Sequence, residues 1–253
     1  MRLPRSVIDN YTAGVNRISE QARSALADVL SQTDLTGDVA EVRATVSAAM
    51  QRICGASADA AAELSASVYD GIRTIELGEA LGAEAESGYL PDETDEAVRA
   101  FAEKLVEGDE DEFTRLLNER IDHEVKVAAN RAMVNMAAGD SIEPMYARVP
   151  SGRETCDFCL MLASRGFAYK NRAGAEHAHA NCDCRIIVGW NDMTVAGYDP
   201  SELADRWEAM NEAKAAERAK RNGTSERQEY AKIMAGYQRA SKRAKERAKK
   251  RRR

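Results

Sequence analysis

The sequence predicts a mostly α-helical α+β protein, and three observations lead to this prediction. Apolar residues recur at three- and four-residue steps through positions 1–139, which is typical of amphipathic helices. Strand-like alternation is confined to the neighbourhood of a cysteine and histidine cluster. After that cluster the chain turns polar and ends in lysines and arginines. We therefore expect a helical arm at 1–139, a small β-containing domain at 140–198 and a charged helical segment at 199–253.

The composition argues against a large enzyme-like interior. Of the 253 residues, 44% are apolar, 6% aromatic and 31% charged, which favours thin helical packing with one small dense core. No apolar run approaches membrane-spanning length and no signal-peptide pattern is present. We therefore expect no membrane partner, and synthesis in a reducing cytoplasm, where clustered cysteines more often bind metal than form disulfides.

Five apolar stripes predict five helices in the arm, at 5–31, 39–53, 61–75, 91–105 and 113–136. Gly55 is expected to separate the second helix from the third, and Gly139 to end the fifth. Cys54 is interpreted as a buried small apolar residue, and His123 as part of a solvated face.

The middle of the chain predicts short strands at 145–149, 167–169 and 185–190, with a short helix over 160–164. Pro200, preceded by Asp199, opens a further helix that Gly223 should end. A last helix begins near Ser225 and continues into the basic tail.

The basic tail is the strongest charge feature. Positions 231–253 hold eleven basic residues and one acid, although the whole chain carries a net charge of −6. An acidic body with a basic arm suggests phosphate or an acidic protein as the arm's partner. The candidate DNA-contacting residues are Lys242, Arg243, Lys245, Arg247, Lys249, Lys250, Arg251, Arg252 and Arg253. This run has no aromatic residue for base stacking, so contact with DNA should be non-specific; a merely solvated, disordered terminus is the alternative.

The cysteine and histidine cluster predicts a structural zinc site. Cys156 and Cys159 form a C-x2-C pair, and His179 and Cys182 form an H-x2-C pair. Two sulfurs on a tetrahedral zinc ion lie about 3.8 Å apart, whereas residues i and i+2 of a strand start about 7 Å apart. If Cys184 already belongs to the strand, only one of Cys182 and Cys184 can easily bind the zinc ion. The preferred set is therefore Cys156, Cys159, His179 and Cys182, and the second is all-cysteine, with Cys184 replacing His179.

Other chemistry for the cluster stays open. Two disulfides are an alternative that the reducing compartment disfavours. A redox C-x2-C would need a strand–helix–strand context that the sequence lacks. A cysteine nucleophile could take His177 or His179 as its base, but metal binding explains the clustering more simply. We predict no catalytic residue, and no cofactor other than structural zinc.

Three stretches around this cluster carry a family resemblance: Arg148–Gly152, Thr155–Gly166 and His179–Arg185. Together they resemble the signature of the Mu-F-like minor head proteins of tailed bacteriophages, in a version most similar to that of actinobacterial phages. The specific match covers residues 144–190. Ala180 stands where the family usually has proline, which leaves the geometry of that turn open.

The resemblance implies a virion protein that lies inside the capsid near the portal, in few copies, after synthesis in the host cytoplasm. Its implied partners are the portal protein, the inner capsid surface and packaged DNA, with an oligomer on the portal ring. Its implied role is head assembly, DNA packaging or DNA delivery. The family core has been likened to ADP-ribosyltransferases, so an enzyme on that fold is one alternative, although the acids of 144–190 form no recognisable catalytic motif. A zinc-dependent DNA-binding protein of the host is another.

Overall fold

A computed structural model describes residues 2–151, 155–168 and 184–250, without the side chains of 240, 241 and 243–250. Within these ranges the chain is mostly helical with two small sheets, which confirms the α+β, mostly α class. The described residues form two compact units. We call residues 6–143 the helical unit, and residues 2–5, 144–151, 155–168 and 184–250 the cysteine unit. The three-segment division stays a prediction.

The first five helices are α1 (Arg5–Ser31), α2 (Val39–Leu77), α3 (Pro91–Phe101), α4 (Glu103–Val106) and α5 (Glu110–Gly139). The predicted break at Gly55 is wrong, because α2 runs through it without interruption. A glycine inside a helix costs only about 1 kcal/mol relative to alanine. Burial on either side of it, at Cys54 and Ala58, offsets that cost. The predicted helix over 91–105 is instead divided at Ala102 into α3 and α4.

Side-chain caps fix where the long helices begin. The Asp38 carboxylate accepts hydrogen bonds from the backbone N–H groups of Ala40 and Glu41 at the start of α2. The Asp109 carboxylate accepts one from Glu112 at the start of α5. Each cap satisfies N–H groups that have no partner within the helix.

The core of the helical unit lies between α2 and α5, with α1 packed on both. Tyr11 of α1 is buried, its hydroxyl lies 2.7 Å from Ser65 Oγ of α2, and it donates to the Ala129 carbonyl of α5. Cys54 is fully buried, as its sequence context predicted. None of the helices in the described ranges combines the length and hydropathy that crossing a bilayer requires.

Asp140, directly after α5, is the centre of a buried polar network with α2. Arg73 Nε donates to its carboxylate at 2.8 Å and the Tyr69 hydroxyl at 2.7 Å. The Ile142 N–H donates to the same carboxylate. Burial by itself would raise the pKa of Asp140, but the hydrogen bonds from Arg73, Ile142 and Tyr69 outweigh it and hold that pKa below its ordinary value.

We predict that Asp140→Asn destabilises the protein by about 3 kcal/mol at pH 7. It removes the buried counter-charge of Arg73 and leaves only the exposed Glu79, 3.4 Å from Arg73 Nη1. A carboxyl with a depressed folded-state pKa stabilises the fold above its unfolded-state pKa, and this contribution is lost as pH falls through the folded value. The urea midpoints of wild type and Asp140→Asn should therefore converge below about pH 4.

The matched control for Asp140→Asn is Arg99→Ala. Arg99 pairs with Asp95, but its side chain is 64% exposed, so its loss should hardly move the urea midpoint at any pH. Equal midpoints for Asp140→Asn and wild type at pH 7 would contradict the stabilising role of this network.

The described elements of the cysteine unit are β1 (Arg2–Leu3), β2 (Met145–Pro150), α6 (Asp157–Ala163), β3 (Cys184–Gly189), β4 (Thr194–Val195), α7 (Pro200–Asn222) and α8 (Glu226–Lys250). β1 and β4 pair in parallel. β2 and β3 pair antiparallel, from Met145 opposite Gly189 to Pro150 opposite Cys184. The predicted strands at 145–149 and 185–190 are confirmed to within a residue. Of the predicted strand at 167–169, residues 167 and 168 are not in a strand and 169 lies outside the described residues.

Helix α6 packs on α7 through its apolar face. Leu160 and Ala163 contact Leu203 of α7, and the Tyr198 hydroxyl donates to the Ala163 carbonyl at 2.6 Å. The predicted end of α7 is confirmed, since Gly223 adopts a left-handed conformation with φ 64°. Helix α7 therefore forms part of the packing around α6.

Candidate functional site

Three of the predicted metal-binding cysteines lie together in the cysteine unit. The sulfur atoms of Cys159 and Cys184 are 3.3 Å apart, and both side chains are buried. The partly buried Cys156 packs against this pair. Cys156 and Cys159 come from the start of α6 and Cys184 from the start of β3, so the cluster joins two elements that are distant in sequence.

The first turn of α6 positions Cys156 and Cys159. Cys156 is the N-cap residue, and its sulfur accepts a hydrogen bond from the Cys159 N–H at 3.3 Å. In a C-x2-C sequence at a helix start, both side chains belong to one turn. The turn also carries Asp157, which forms an ion pair with Lys214 of α7.

The β2–β3 ladder positions Cys184. Arg148 lies opposite Ile186, and Pro150 lies opposite Cys184, so Arg148 is the diagonal neighbour of Cys184 on one face of the sheet. Arg148 Nη1 donates to Cys184 Sγ at 2.9 Å. Arg148 is not among the site residues predicted from the sequence, although it lies in the strand predicted at 145–149.

Of the predicted ligands, the structure describes Cys156, Cys159 and Cys184. Cys184 belongs to the second predicted set, in which it replaces His179. It does lie in a strand, and that strand brings its sulfur to Cys159. His179, Cys182 and His177 lie outside the described residues.

The described residues alone do not complete a metal centre: no group of three or more histidine, cysteine, aspartate or glutamate side chains among them could hold an ion. The chemistry of the donors nevertheless fits zinc. Thiolates are preferred zinc ligands, and two of them on one ion lie about 3.8 Å apart. The 3.3 Å sulfur pair of Cys159 and Cys184 is close to that spacing.

Cys54 and His123 belong to the helical unit, whereas the three clustered cysteines belong to the cysteine unit. Burial raises the pKa of Cys54 to about 12, so its thiol stays protonated and unreactive near neutral pH. His123, expected on a solvated face, is partly buried in α5.

The basic tail begins on an ordered helix. Helix α8 extends to Lys250, and Lys242 is exposed. The side chains of the other predicted DNA-contacting residues, at 243, 245, 247, 249 and 250, lie outside the description, as do residues 251–253. Lys242 borders an open groove between α6, α7 and α8, which is lined by Met161, Arg165, Trp207, Met234, Tyr237 and Gln238.

Comparison with known proteins gives one family and two relatives. The model of the VG15 protein family matches residues 2–210, most of the chain. The Gene 15 protein of Mycobacterium phage L5 is 39% identical over 88 residues, which cover 30% of this chain and 28% of that protein. The Gene 15 protein of Mycobacterium phage D29 is 38% identical over 80 residues, with coverages of 30% and 27%.

These matches indicate a bacteriophage protein family, and they do not confirm the resemblance to Mu-F-like minor head proteins. The chain covers little more than a quarter of the length of each of the two relatives. No solved structure matches.

Proposed function

Because this chain belongs to the VG15 protein family, whose matched relatives are mycobacteriophage proteins, we propose that it is a structural minor head protein of a tailed phage. In this proposal it lies inside the capsid near the portal, contacts the portal protein and the inner capsid surface, and forms an oligomer on the portal ring. It acts in head assembly, DNA packaging or DNA delivery and catalyses no reaction. The observation that carries the proposal is the match of the VG15 protein family to residues 2–210, together with the two mycobacteriophage relatives.

The charge distribution supports two kinds of partner. Positions 6–143 contain 28 acidic and 11 basic residues, whereas positions 144–253 contain 14 acidic and 23 basic residues. A protein surface suits the acidic helical unit, and nucleic acid suits the basic C-terminal helices.

We predict that mass spectrometry of purified, nuclease-treated virions detects this chain at a low copy number relative to the major capsid protein. If the chain remains in the virions after a density gradient has removed loosely bound protein, this result supports its proposed place in the head. Its absence from virions, together with DNA binding in the host cell, would favour the zinc-dependent host protein. Turnover of NAD⁺ by the purified chain would favour the ADP-ribosyltransferase alternative.

We further propose that Cys159 and Cys184 are thiolate ligands of a structural zinc ion, with the remaining ligands supplied from Cys156, His179 and Cys182. The two buried sulfurs support a closed site, which suits a structural rather than a catalytic metal. When bound, the ion would cross-link α6 to β3 and add its binding free energy to folding. A small domain with few apolar residues gains most from such a cross-link.

We predict one zinc ion per chain by metal analysis after dialysis, and loss of that zinc in Cys159→Ser and Cys184→Ser. Cys54→Ser is the matched control, because it removes a buried thiol from the helical unit and should keep the zinc. Wild-type protein without zinc would contradict the site. Full zinc retention in Cys184→Ser, with loss in Cys182→Ser, would restore the set of Cys156, Cys159, His179 and Cys182.

For the tail we propose non-specific contact with packaged DNA. Positions 242–253 contain nine basic residues in twelve. Each phosphate that such a residue neutralises adds about 0.9 to the slope of log affinity against log salt.

Deletion of 242–253 should therefore reduce this slope by several units in fluorescence-anisotropy titrations with duplex DNA of two unrelated sequences. The control is a Lys220→Ala and Arg221→Ala double variant, which removes two exposed charges at the end of α7. An unchanged slope after the deletion would show that the tail is not the contact, and a strong preference between the two sequences would contradict non-specific binding.

A further inference from the structure

An open groove on the cysteine unit combines an apolar lining with basic side chains. It lies between α6, α7 and α8, and we call it the basic groove. Its volume of about 520 Å³ is within the range of pockets that bind small molecules, so it can take more than one side chain of a partner. The lining consists of the apolar or aromatic Met161, Trp207, Met234 and Tyr237 and the exposed Arg165, Gln238 and Lys242.

Two helices hold the aromatic side of the basic groove in place. The Trp207 ring of α7 and the Tyr237 ring of α8 pack with their centroids 5.6 Å apart and their planes tilted by 58°. Tilted aromatic pairs at this distance stabilise each other. The Tyr237 hydroxyl also donates to Asn211 Oδ1 at 3.3 Å. The aromatic side is therefore fixed, whereas Met161 and Met234 have flexible side chains that adapt to the shape of a partner.

The helical unit presents a segment of complementary chemistry. Residues 103–112, from α4 to the first turn of α5, contain six acids and one base, and we call them the acidic tip. Val106 in this segment is 76% exposed, the largest value among the exposed large apolar side chains of the described ranges. A singly exposed apolar residue is common on protein surfaces. An exposed valine within a strongly acidic segment, however, combines the two kinds of group that the lining of the basic groove attracts.

We propose that the acidic tip of one copy binds the basic groove of a second copy. In this contact Val106 leaves water for the apolar lining, and the carboxylates of the tip face Arg165 and Lys242. Since every copy carries both surfaces, the contact repeats head to tail, which produces a closed ring or an open filament. This inference deepens the proposed function, on which the role of the oligomer at the portal ring rests.

The lining favours an acidic protein segment over nucleic acid in this groove. Single strands of nucleic acid bind where aromatic faces are available for bases to stack on. Trp207 and Tyr237 pack against each other, and the rest of the apolar lining is methionine, which adapts to aliphatic groups of a partner. The acidic tip provides an exposed aliphatic group of this kind in Val106.

The experiment measures the mass of the nuclease-treated full chain by sedimentation equilibrium over a range of protein concentrations. The wild-type mass should rise above that of one chain, and more so at about 0.1 M than at about 1 M salt, because salt screens exposed charges. Val106→Ser should weaken the association about tenfold, since it removes the apolar burial. The matched control is Leu90→Ser. Leu90 is 51% exposed in the same unit, lies outside the acidic tip and should leave the association as in wild type.

Charge reversal tests the pairing of the two surfaces. The double variant Arg165→Glu with Lys242→Glu makes the groove acidic. The double variant Glu103→Lys with Glu107→Lys makes the tip basic. Each double variant alone should be monomeric, because like charges then meet at the contact. A mixture of the two should associate again, because the reversed groove then meets the reversed tip.

The matched control for charge reversal is Lys220→Glu with Arg221→Glu, at exposed positions of α7 outside the groove lining, which should associate like wild type. A wild-type chain that is monomeric at every concentration overturns the interface, while its presence in virions would leave the proposed head role standing. Wild type that associates beside a mixture that stays monomeric also overturns it. If the charge variants do not fold, Val106→Ser decides, since wild-type association in that variant overturns the contact.

Nucleic acid as the occupant of the groove is a further outcome of the same experiment. In that case the wild-type chain is monomeric, and Arg165→Glu with Lys242→Glu loses affinity for single-stranded DNA while the control at positions 220 and 221 does not. This result would assign the groove to nucleic acid and overturn the contact between copies.

Discussion

The register of the β2–β3 ladder is the constraint on which the cysteine unit depends. It sets Pro150 opposite Cys184 and thereby places Cys184 diagonally from Arg148. Because side chains alternate between the faces of a sheet, a slip of one residue in one strand would separate Cys184 from Arg148 or from Cys159. The burial of Arg148 and Arg185 makes such a slip costly, since it would move one of these two charged groups to the opposite face of the sheet.

Helix α6 links this ladder to the C-terminal helices. Its first turn carries two cysteines toward the strands, and its apolar residues Leu160 and Ala163 pack against α7. Asp157, in the same first turn, forms an ion pair with Lys214 of α7 and so joins the same two helices. Helix α7, the first helix of the charged C-terminal segment, thus has a structural role. It packs against α6, the helix that carries Cys159.

The sequence predicted those features whose signal is local. Apolar periodicity located the long helices, and Asp199 with Pro200 marked where α7 begins. The break at Gly55 was predicted wrongly because tertiary burial outweighs the weak intrinsic preference of a single glycine. Spacing predicted that the cysteines would cluster, but it could not predict the contact of Arg148 with Cys184. That contact depends on strand register, which joins residues 36 positions apart.

The short pairing of β1 with β4 joins the residues before α1 to the cysteine unit. Leu3 is fully buried beside Val195, and Arg5 Nη2 donates to the Pro150 carbonyl at 2.8 Å. The residues before α1 therefore belong to the cysteine unit, and the chain returns to that unit at β2. The helical unit is thus inserted between two parts of the cysteine unit. Insertions of this kind can be lengthened, shortened or exchanged while their host keeps its own core. The helices of the helical unit can therefore change in length or sequence while the cysteine unit keeps its own packing.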